Sequence, residues 1–425
     1  MSDRPGRVHV VCAEVPPDVV GGLGRYAERM MAALRGRGTP VEVLGAVRRG
    51  SRAPRAERLG DVVLHRLPVA GWGRDGDSRV PVPLRRAVRL AGLLAYNLRA
   101  AARILRARPS RERGAGRAAG AVVAVHDWMG CPAGILCALL GRLPVVFHVH
   151  TRELNAAPGA RRSLLPAALD ALETAQARLA RLVVVPSAAV RAELVARGWP
   201  AERLRVVPHG FEEPDLLRLA ALPARERDRL RAEVRERYLP GGKGRLVVFA
   251  GRLSPHKGVR TLVRAVPRIA EAYDDAVVLL IGAQQPHTDD DAAVARLIER
   301  TGVAGRVVAG YRFLPQAEVF GCFLAADVCV FPSTYEPFGL VAVEAMALGR
   351  PVVVGPGFSA DVVGDGALRC PRDSPDDLAR AVLSCLDDPE AAGRLGERGA
   401  EHVRAHFTWD RTAEATLAAY AEALG

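Results

Sequence analysis

Arg252 and Lys257 stand where the sequence pattern changes from a buried strand to a helix. Arg252 follows the apolar run Leu246–Ala250, and Lys257 comes directly before an amphipathic segment. Both cations and the free N–H groups of a helix start attract an anion such as a diphosphate. At an effective dielectric constant near 20, a cation about 4 Å from a phosphate charge gains about 4 kcal/mol before desolvation costs. We therefore predict that Arg252 and Lys257 bind a diphosphate without a metal ion. An ordinary solvated loop is the alternative.

Two glutamates, Glu336 and Glu344, flank the start of another predicted helix, which follows the apolar run Val328–Phe331. A carboxylate accepts hydrogen bonds from sugar hydroxyls, and the N–H groups of a helix start bind phosphate. Buried carboxylates need partners of this kind, because an unpaired buried charge is costly. The pattern favours a site for a sugar attached to a diphosphate, and two ordinary helix charges are the alternative.

Weaker signals come from the first half of the chain. Gly21 and Gly22 belong to a glycine-rich turn after the run Val8–Cys12, where a backbone could approach a ligand closely. A tight strand–helix turn explains these glycines equally well, and the turn lacks the GxGxxG spacing of an ordinary dinucleotide site. His126 directly follows the run Ala121–Val125, so it is expected at the ligand-binding edge of a sheet. Three polar residues after the next run are acceptor-side candidates: His150, Arg152 and Glu153.

The elements that position these residues are short, β-branched apolar runs that alternate with amphipathic segments. Strand–helix alternation of this kind predicts parallel sheets with helices on both faces. The predicted fold class is therefore α/β, with two doubly wound Rossmann-like domains that face each other across a cleft. The predicted strands are Val8–Cys12, Val41–Gly45, Val62–Leu67, Ala121–Val125, Val145–Val149 and Leu182–Val185 in the first domain, and Leu246–Ala250, Val277–Gly282, Val307–Ala309, Val328–Phe331 and Pro351–Gly355 in the second.

The domain boundary is predicted at a charged, proline-bearing stretch. Residues 1–207 are expected to form the acceptor-side domain, and residues 245–407 the second domain. Residues 208–244 are predicted to be a linker that contains one charged helix, Leu216–Tyr238. The final residues, 408–425, are predicted to form a helix that returns to the first domain.

Composition is typical of a soluble globular protein and predicts a cytoplasmic location. Of the 425 residues, 49% are hydrophobic and 25% are charged. No run approaches the roughly 20 apolar residues that span a bilayer, and the N-terminus lacks the pattern of a signal peptide. Seven scattered cysteines without a CxxC pair indicate a reduced protein with no zinc site. No Asp-x-Asp pair or histidine cluster is evident at the predicted strand ends, so no metal and no cofactor are predicted.

The net charge of +13 is concentrated between residues 81 and 117, where ten arginines accompany one acid, Glu112. Leucines interleave with these arginines, so a basic amphipathic helix that makes peripheral contact with a membrane is one interpretation. The other interpretation is a helix packed on the first sheet, followed by a solvated arginine-rich tail. No aromatic platform accompanies the arginines, so nucleic-acid binding is not predicted.

Several of these motifs together resemble the family 4 glycosyltransferases, which have the GT-B fold. The resemblance covers most of residues 245–407, which are similar to the nucleotide-sugar-binding half of that family. It rests on Gly251–Gly258, Ile281–Gly282, Ala326–Asp327, Phe331–Ser333, the Glu336 and Glu344 pair, and Glu344–Ala347. The first domain is similar more loosely to the glycogen and starch synthase branch, through Gly21–Gly24, His126–Trp128 and Val207–Gly210.

The resemblance implies a role for each of these residues. Arg252 and Lys257 would hold the donor diphosphate, Glu336 the sugar hydroxyls, and Glu344 the ribose. His126 would lie beside the donor sugar, which completes the set of predicted catalytic residues: His126, Arg252, Lys257 and Glu336. Backbone amides would complete the donor site at Gly21, Gly22, Phe338, Gly339 and Leu340. The chain departs from the branch at Val19, His209 and Asp361, where a lysine, an asparagine and a glutamate are usual.

The resemblance further implies a retaining transferase that moves a hexosyl group from a nucleotide-diphosphate sugar to a hydroxyl acceptor. UDP-sugar is the default donor, and the acceptor is a carbohydrate or a natural product. No carboxylate stands out as a nucleophile, so displacement on the front face of the sugar is favoured. The alternatives are a nucleotide-sugar epimerase, a phosphorylase on a related two-domain fold, and a protein that binds through a basic surface. A pyridoxal-dependent phosphorylase is disfavoured, since its Schiff-base lysine would have to be Lys243 in a glycine turn.

Overall fold

The computed structural model describes residues 5–18, 22–72, 82–107, 120–152, 164–282, 290–310 and 314–425. The chain divides into two compact units, of which the first comprises Met1–His209 and Trp409–Gly425 and the second Gly210–Thr408. Most of the stretch that the sequence assigns to a linker therefore belongs to the second unit. The reason is apolar packing, because Leu216 and Val234 of this stretch are buried in that unit's core.

The first unit is built on an eight-stranded sheet. Its strands are β1 Arg7–Glu14, β2 Val41–Arg48, β3 Ala56–Leu59, β4 Val62–Val69, β5 Ala121–His126, β6 Val145–His148, β7 Leu182–Val185 and β8 Leu204–Val206. Their order is β3-β4-β2-β1-β5-β6-β7-β8, and neighbours are parallel except for the antiparallel edge pair β3 and β4. The strand order reverses between β1 and β5, which is where ligands bind in sheets of this kind.

The helices of the first unit include one from the far end of the chain. They are Gly22–Leu34, Val82–Arg106, Asp127–Gly141, Leu164–Leu179, Ala188–Ala196 and Trp409–Glu422. In the last of these, Thr412 Oγ1 donates to the Pro208 carbonyl at 2.8 Å, and the Tyr420 hydroxyl lies 3.1 Å from His148 Nε2. Among the helices that the structure describes, none has the length and hydrophobicity needed to cross a membrane.

The second unit carries a six-stranded parallel sheet. Its strands are β9 Arg245–Ala250, β10 Ala276–Ile281, β11 Val307–Gly310, β12 Val328–Phe331, β13 Val352–Val354 and β14 Leu368–Arg369. Their order is β11-β10-β9-β12-β13-β14, with every neighbouring pair parallel. The order reverses between β9 and β12, so this sheet has a ligand-binding point of the same kind as the first.

The helices of the second unit flank its sheet. They are Pro214–Ala220, Ala224–Tyr238, Val259–Ala272, Asp290–Arg300, Gln316–Ala325, Leu340–Ala347, Ala360–Val363, Pro375–Asp387 and Pro389–His406. The prediction of a single helix over Leu216–Tyr238 is wrong. Two helices occupy this stretch because Pro223, which stands directly before the second one, is tolerated at a helix start but not in a helix interior.

Candidate active site

The predicted diphosphate cations lie at the point of the second sheet where the strand order reverses. Arg252 follows β9 after a single glycine, and its side chain is exposed. Lys257 ends a short 3₁₀ turn, Pro255–Lys257, that leads into the helix Val259–Ala272. Glu336 follows β12, the neighbour of β9 in the sheet. The structure therefore brings residues from two distant motifs to one edge of the sheet.

Lys257 and Glu336 form an ion pair at this edge. The ammonium nitrogen of Lys257 lies 2.5 Å from Glu336 Oε2, and the Ser333 hydroxyl donates to the same oxygen at 3.2 Å. Glu336 is only 8% exposed, so its charge requires these partners. An ammonium group carries three donors, and one of them serves Glu336. Lys257 therefore retains the capacity to donate to a phosphate.

Backbone contacts hold the two motifs together. The backbone N–H and the hydroxyl of Thr334 both donate to the carbonyl of His256, at 2.9 and 3.3 Å. Gly258 has a φ of 70°, and a Cβ atom there would lie 2.0 Å from the carbonyl oxygen of Pro332. Only glycine permits this approach, which places Lys257 beside Glu336.

A second glycine shapes the start of the helix Leu340–Ala347. Gly339 caps this helix with a φ of 90°, and a Cβ atom there would lie 2.3 Å from the ring of Phe358. The cap places the backbone at Leu340 at a helix N-terminus, where unpaired N–H groups and the helix dipole favour an anion. The side chain of Phe338 is buried against Phe407, so its predicted role rests on its backbone amide.

Glu344 lies within the same helix and is 2% exposed. Gln316, at the start of the helix Gln316–Ala325, donates from Nε2 to Glu344 Oε1 at 3.5 Å. Sequence reasoning missed Gln316, because the contact joins two helices that are far apart in the chain. A carboxylate offers several lone pairs, so this contact is compatible with a further hydrogen bond from a ligand hydroxyl.

The corresponding edge of the first sheet carries a histidine cluster, which we define as His126, His148, His150 and His209. His126 ends β5 and stands in register with His148 at the end of β6, and their rings stack with centroids 4.3 Å apart. His126 Nδ1 lies 2.9 Å from His150 Nε2, and His150 Nδ1 lies 3.2 Å from His209 Nε2. Tyr26 of the helix Gly22–Leu34 packs against three of these rings.

Burial keeps the histidine cluster neutral. It lowers the pKa of His126, His148 and His150 well below the usual value, and the neighbouring rings add to the effect. Burial also lowers the pKa of His209 to about 3. Each neutral ring has one N–H donor and one acceptor nitrogen. Each contact along the chain from His209 through His150 to His126 therefore pairs one donor nitrogen with one acceptor nitrogen, so the tautomers of the three rings are coupled.

The prediction that no histidine cluster stands at the strand ends is wrong. Ring nitrogens of His126, His148 and His150 lie within 4.8 Å of one another. The rings are close to parallel, with interplanar angles of 15° between His126 and His148 and 12° between His126 and His150. Lone pairs in the planes of parallel rings do not converge on one point, so the observed geometry favours hydrogen bonding over metal coordination.

Asp127 secures the backbone beside the histidine cluster. Its carboxylate Oδ1 accepts from the N–H of His150 at 2.7 Å and from that of Thr151 at 3.3 Å. Its φ of 52° is unusual for a non-glycine residue and places it directly after His126 at the start of a helix. Burial raises the pKa of Asp127 well above the usual value, against the lowering effect of these hydrogen bonds.

Two predicted site residues lie outside the described residues: Glu153 on the acceptor side and Gly21 on the donor side. Gly22 is exposed and begins the helix Gly22–Leu34. The N–H of Gly24 donates to Glu14 Oε2 at 3.2 Å, so this helix start is already supplied with one carboxylate. That contact does not involve Gly22, whose predicted role stays a prediction.

Arg152, another predicted acceptor-side residue, is paired inside the first unit. It is 1% exposed and forms ion pairs with Asp170 and, at 3.3 Å, with Glu173. Its guanidinium also lies over the ring of Trp199, 5.4 Å from the ring centre. These contacts favour a structural role for Arg152. The acids that pair with it lie on the following helix, and no sequence motif marks them.

Comparison with known proteins decides the family. Residues 244–388 match the family described as "Glycosyl transferases group 1", and residues 20–213 match "Glycosyltransferase Family 4". A D-inositol 3-phosphate glycosyltransferase from Kineococcus radiotolerans is 30% identical, with 95% of this chain and 91% of that protein covered. The chain belongs to the family 4 glycosyltransferases. This confirms the family resemblance that the motifs predict.

A further relative is also a glycosyltransferase, and a solved structure shares the fold. Glycogen synthase from Mycobacterium tuberculosis is 29% identical, with 97% of this chain and 94% of that protein covered. The catalytic domain of starch synthase IV from Arabidopsis thaliana, bound to ADP and acarbose, superposes with a TM-score of 0.72 at 15% identity over 99% of each chain. The predicted α/β class with two Rossmann-like domains of the GT-B type is confirmed, and so is the prediction of an enzyme that uses a nucleotide-sugar donor.

Proposed function

We propose that this glycosyltransferase moves a hexosyl group from a UDP-sugar to a hydroxyl group of a carbohydrate or natural-product acceptor, with retention of configuration and without a metal ion or other cofactor. The observation that carries the proposal is the ion pair between Lys257 and Glu336 at the reversal point of the second sheet. A cation and a carboxylate side by side suit a ligand that presents a phosphate next to sugar hydroxyls.

The diphosphate is assigned to the second unit. Lys257 donates to it with the hydrogens that Glu336 does not use, and the exposed Arg252 supplies a second cation. The helix N-terminus at Leu340 adds partial positive charge. Together these groups stabilise the negative charge that grows on the leaving diphosphate, which is the work that a metal ion does in other enzymes.

Glu336 and Glu344 bind the two parts of the donor on either side of the diphosphate. Glu336 accepts hydrogen bonds from the sugar hydroxyls, since Lys257 and Ser333 keep its carboxylate in place. Glu344, held by Gln316, accepts from the ribose. His126 of the first unit is neutral, so it contacts the donor sugar by hydrogen bonding rather than by charge, and His150 stands on the acceptor side.

Retention by attack on the front face is supported by the hydrogen bonds and the burial of Asp127, the carboxylate beside His126. Asp127 already accepts two backbone N–H groups and is buried, which makes it a poor nucleophile. We therefore favour attack of the acceptor oxygen on the face that the diphosphate leaves. The bond from the anomeric carbon to the acceptor oxygen forms as the bond to the phosphate oxygen breaks, and the acceptor proton passes to the leaving diphosphate.

A donor panel tests this proposal. The purified chain is warmed with UDP, ADP or GDP, and UDP is expected to raise the melting temperature most, because a ligand stabilises the state that binds it. The matching glucose donors are then offered with glycogen and with D-inositol 3-phosphate, the acceptors that the names of two relatives suggest. NMR of the product gives its anomeric configuration. An inverted product, or turnover of sugar phosphates without any nucleotide sugar, would contradict the proposal.

A further inference from the structure

The outer face of the helix Val82–Arg106 is apolar and exposed. Leu84, Leu94 and Leu98 are 54%, 54% and 51% exposed, and Val88 and Leu90 are 40% and 43% exposed. At 100° per residue these side chains share one side of the helix. Three exposed alanines lie on the same side: Ala87, Ala91 and Ala95. The proposed reaction makes no use of this face.

The opposite face of the same helix is also apolar, because it packs on the first sheet. Leu93, Tyr96 and Ile104 are at most 4% exposed, and the Tyr96 hydroxyl donates to the carbonyl of Leu44 at 2.6 Å. A helix on a protein surface normally turns a polar side to water, whereas this helix presents five large apolar side chains there. The outer face is therefore expected to bind an apolar partner.

The exposed patch continues beyond this helix. Leu105 near the helix end lies against Gly141, where a Cβ atom would stand 2.7 Å from Leu105 Cδ2. Directly before Gly141, Leu139 and Leu140 are 59% and 69% exposed. Seven of the twelve large exposed hydrophobic side chains recorded for the described residues thus belong to two neighbouring helices. Exposed large apolar side chains gathered on neighbouring helices in this way mark an interaction site.

Charge identifies the partner. The helix contains no acidic residue, and exposed arginines border its apolar side. Arg89 lies over the ring of Trp72 at 5.6 Å, Arg99 donates to the carbonyl of Ala95 at 3.1 Å, and Arg103 donates to Glu42 at 2.7 Å. These contacts hold guanidinium groups beside the leucines. An apolar strip bordered by arginines matches an anionic bilayer, which offers acyl chains next to phosphate groups.

We propose that the outer face of Val82–Arg106 docks this unit onto an anionic lipid surface. The leucines enter the boundary between head groups and acyl chains, and the arginines bind head-group phosphates. The protein is held at the surface of the bilayer, and none of the helices that the structure describes crosses it. Because the docking face and the donor-binding residues lie on different elements, docking and turnover can be lost independently.

Co-sedimentation with sucrose-loaded vesicles tests the proposal. The full chain is expected to bind vesicles of phosphatidylcholine with 30% phosphatidylglycerol and to stay in solution with phosphatidylcholine alone. The double variant Leu94→Gln/Leu98→Gln is expected to bind at least tenfold more weakly. Arg89→Gln/Arg106→Gln should lose about fivefold per arginine, which corresponds to about 1 kcal/mol each. The control Leu217→Gln/Val308→Gln changes two exposed apolar residues of the second unit and should bind like the wild type.

Three results would overturn the proposal: no binding of the wild type to anionic vesicles, equal binding to neutral vesicles, or full binding by the leucine variant. A wild-type dimer in sedimentation velocity that Leu94→Gln/Leu98→Gln dissociates would also overturn it, since the face would then serve a second copy of the chain. Melting temperatures close to that of the wild type show that these exposed substitutions leave the fold intact. Turnover of a soluble acceptor should stay unchanged in the same variants.

Discussion

Both units place polar side chains at the edge of a parallel sheet where the strand order reverses. The side chains are charged in the second unit and neutral in the first. In the second unit, charged Lys257 and Glu336 pair beside the strands where the order reverses. In the first unit, the matching edge carries the histidine cluster, whose rings burial holds neutral. The contrast follows from the ligand groups that we assign to each unit.

An ion pair suits a ligand that brings its own charge, because a phosphate can share the donors of the ammonium while a hydroxyl binds the carboxylate. Neutral imidazoles suit hydroxyl groups, since each ring donates from one nitrogen and accepts at the other without adding charge. The contrast therefore assigns the diphosphate and the hydroxyl groups beside it to the second unit, and uncharged hydroxyl groups alone to the first. Substitutions in each unit test this division of roles.

The largest effect is expected at Lys257. Lys257→Ala should lower kcat/KM by about two to three decades, because it removes one diphosphate contact worth a few kcal/mol in the transition state. Lys257→Arg should also lose most activity. A planar guanidinium cannot replace a compact ammonium 2.5 Å from Glu336 without moving the loop. Steady-state kinetics with the nucleotide-sugar donor measure both effects.

The exposed Arg398 provides the matched control, since Arg398→Lys makes the reverse exchange on a surface helix and should leave kcat/KM unchanged. Full activity of Lys257→Arg would show that the diphosphate is held elsewhere. Wild-type turnover should also persist in excess chelator. Loss of activity in chelator with rescue by magnesium would refute the assignment of the diphosphate charge to Arg252 and Lys257.

The two glutamates should differ in which step they affect. Glu336→Gln should lower turnover at least tenfold and barely change affinity for free nucleotide diphosphate, because its partner is the sugar. Glu344→Gln should weaken nucleotide binding at least tenfold, since a charge-assisted hydrogen bond contributes about 1.5–3 kcal/mol. Calorimetry with the free nucleotide and single-turnover rates separate the effects. Equal losses of nucleotide affinity in both variants would contradict the assignment.

The donor side of this contrast was the easier one to predict. Arg252 and Lys257 lie between a strand end and a helix start, and Glu336 and Glu344 lie before and within another helix, in motifs whose residue types suit a charged ligand. The pairing of Lys257 with Glu336 across 79 positions was not predictable. It depends on the close approach of two loops at Gly258, which only the structure shows.

The histidine cluster escaped prediction because its members are brought together by strand register. His148 has a polar side chain at the end of a buried run, and its registry with His126 could have drawn attention to it. His209 lies beyond β8, a three-residue strand that the sequence pattern did not show. The other strands that sequence reasoning missed, β3 and β14, are also short and carry no buried apolar run.

Tyr420→Phe tests how much the contact between Tyr420 and the histidine cluster contributes to the stability of the first unit. The Tyr420 hydroxyl lies 3.1 Å from His148 Nε2, and both residues are buried. Removing the hydroxyl leaves that ring nitrogen without its partner, so the free energy of unfolding should fall by about 1–3 kcal/mol. Denaturant titration measures the change. Tyr273→Phe, which removes an exposed hydrogen bond to Asp387, should cost less because water replaces it. A larger cost for Tyr273→Phe would argue against a buried contact at Tyr420.

The smallest effect is a change in the pH dependence of stability, and it concerns His209. Unfolded, this histidine binds a proton with an ordinary pKa near 6.5, whereas burial lowers the pKa in the folded unit to about 3. The unfolded state therefore binds more protons between these values, so the stability is present above about pH 6.5 and is lost as the pH falls toward 3. Each such group contributes up to about 1.4 kcal/mol per pH unit within this window.

His209→Gln should flatten the fall in unfolding free energy between pH 6 and pH 4 by up to that slope. Glutamine does not titrate, and its amide can still hydrogen-bond to His150, which lies 3.2 Å from His209 in the wild type. Denaturant titrations across this range measure the slopes. An unchanged slope for His209→Gln would mean that the ring accepts a proton as readily in the folded unit as in the unfolded chain. The contrast between the charged site of the second unit and the neutral histidine cluster of the first would then fail at that residue.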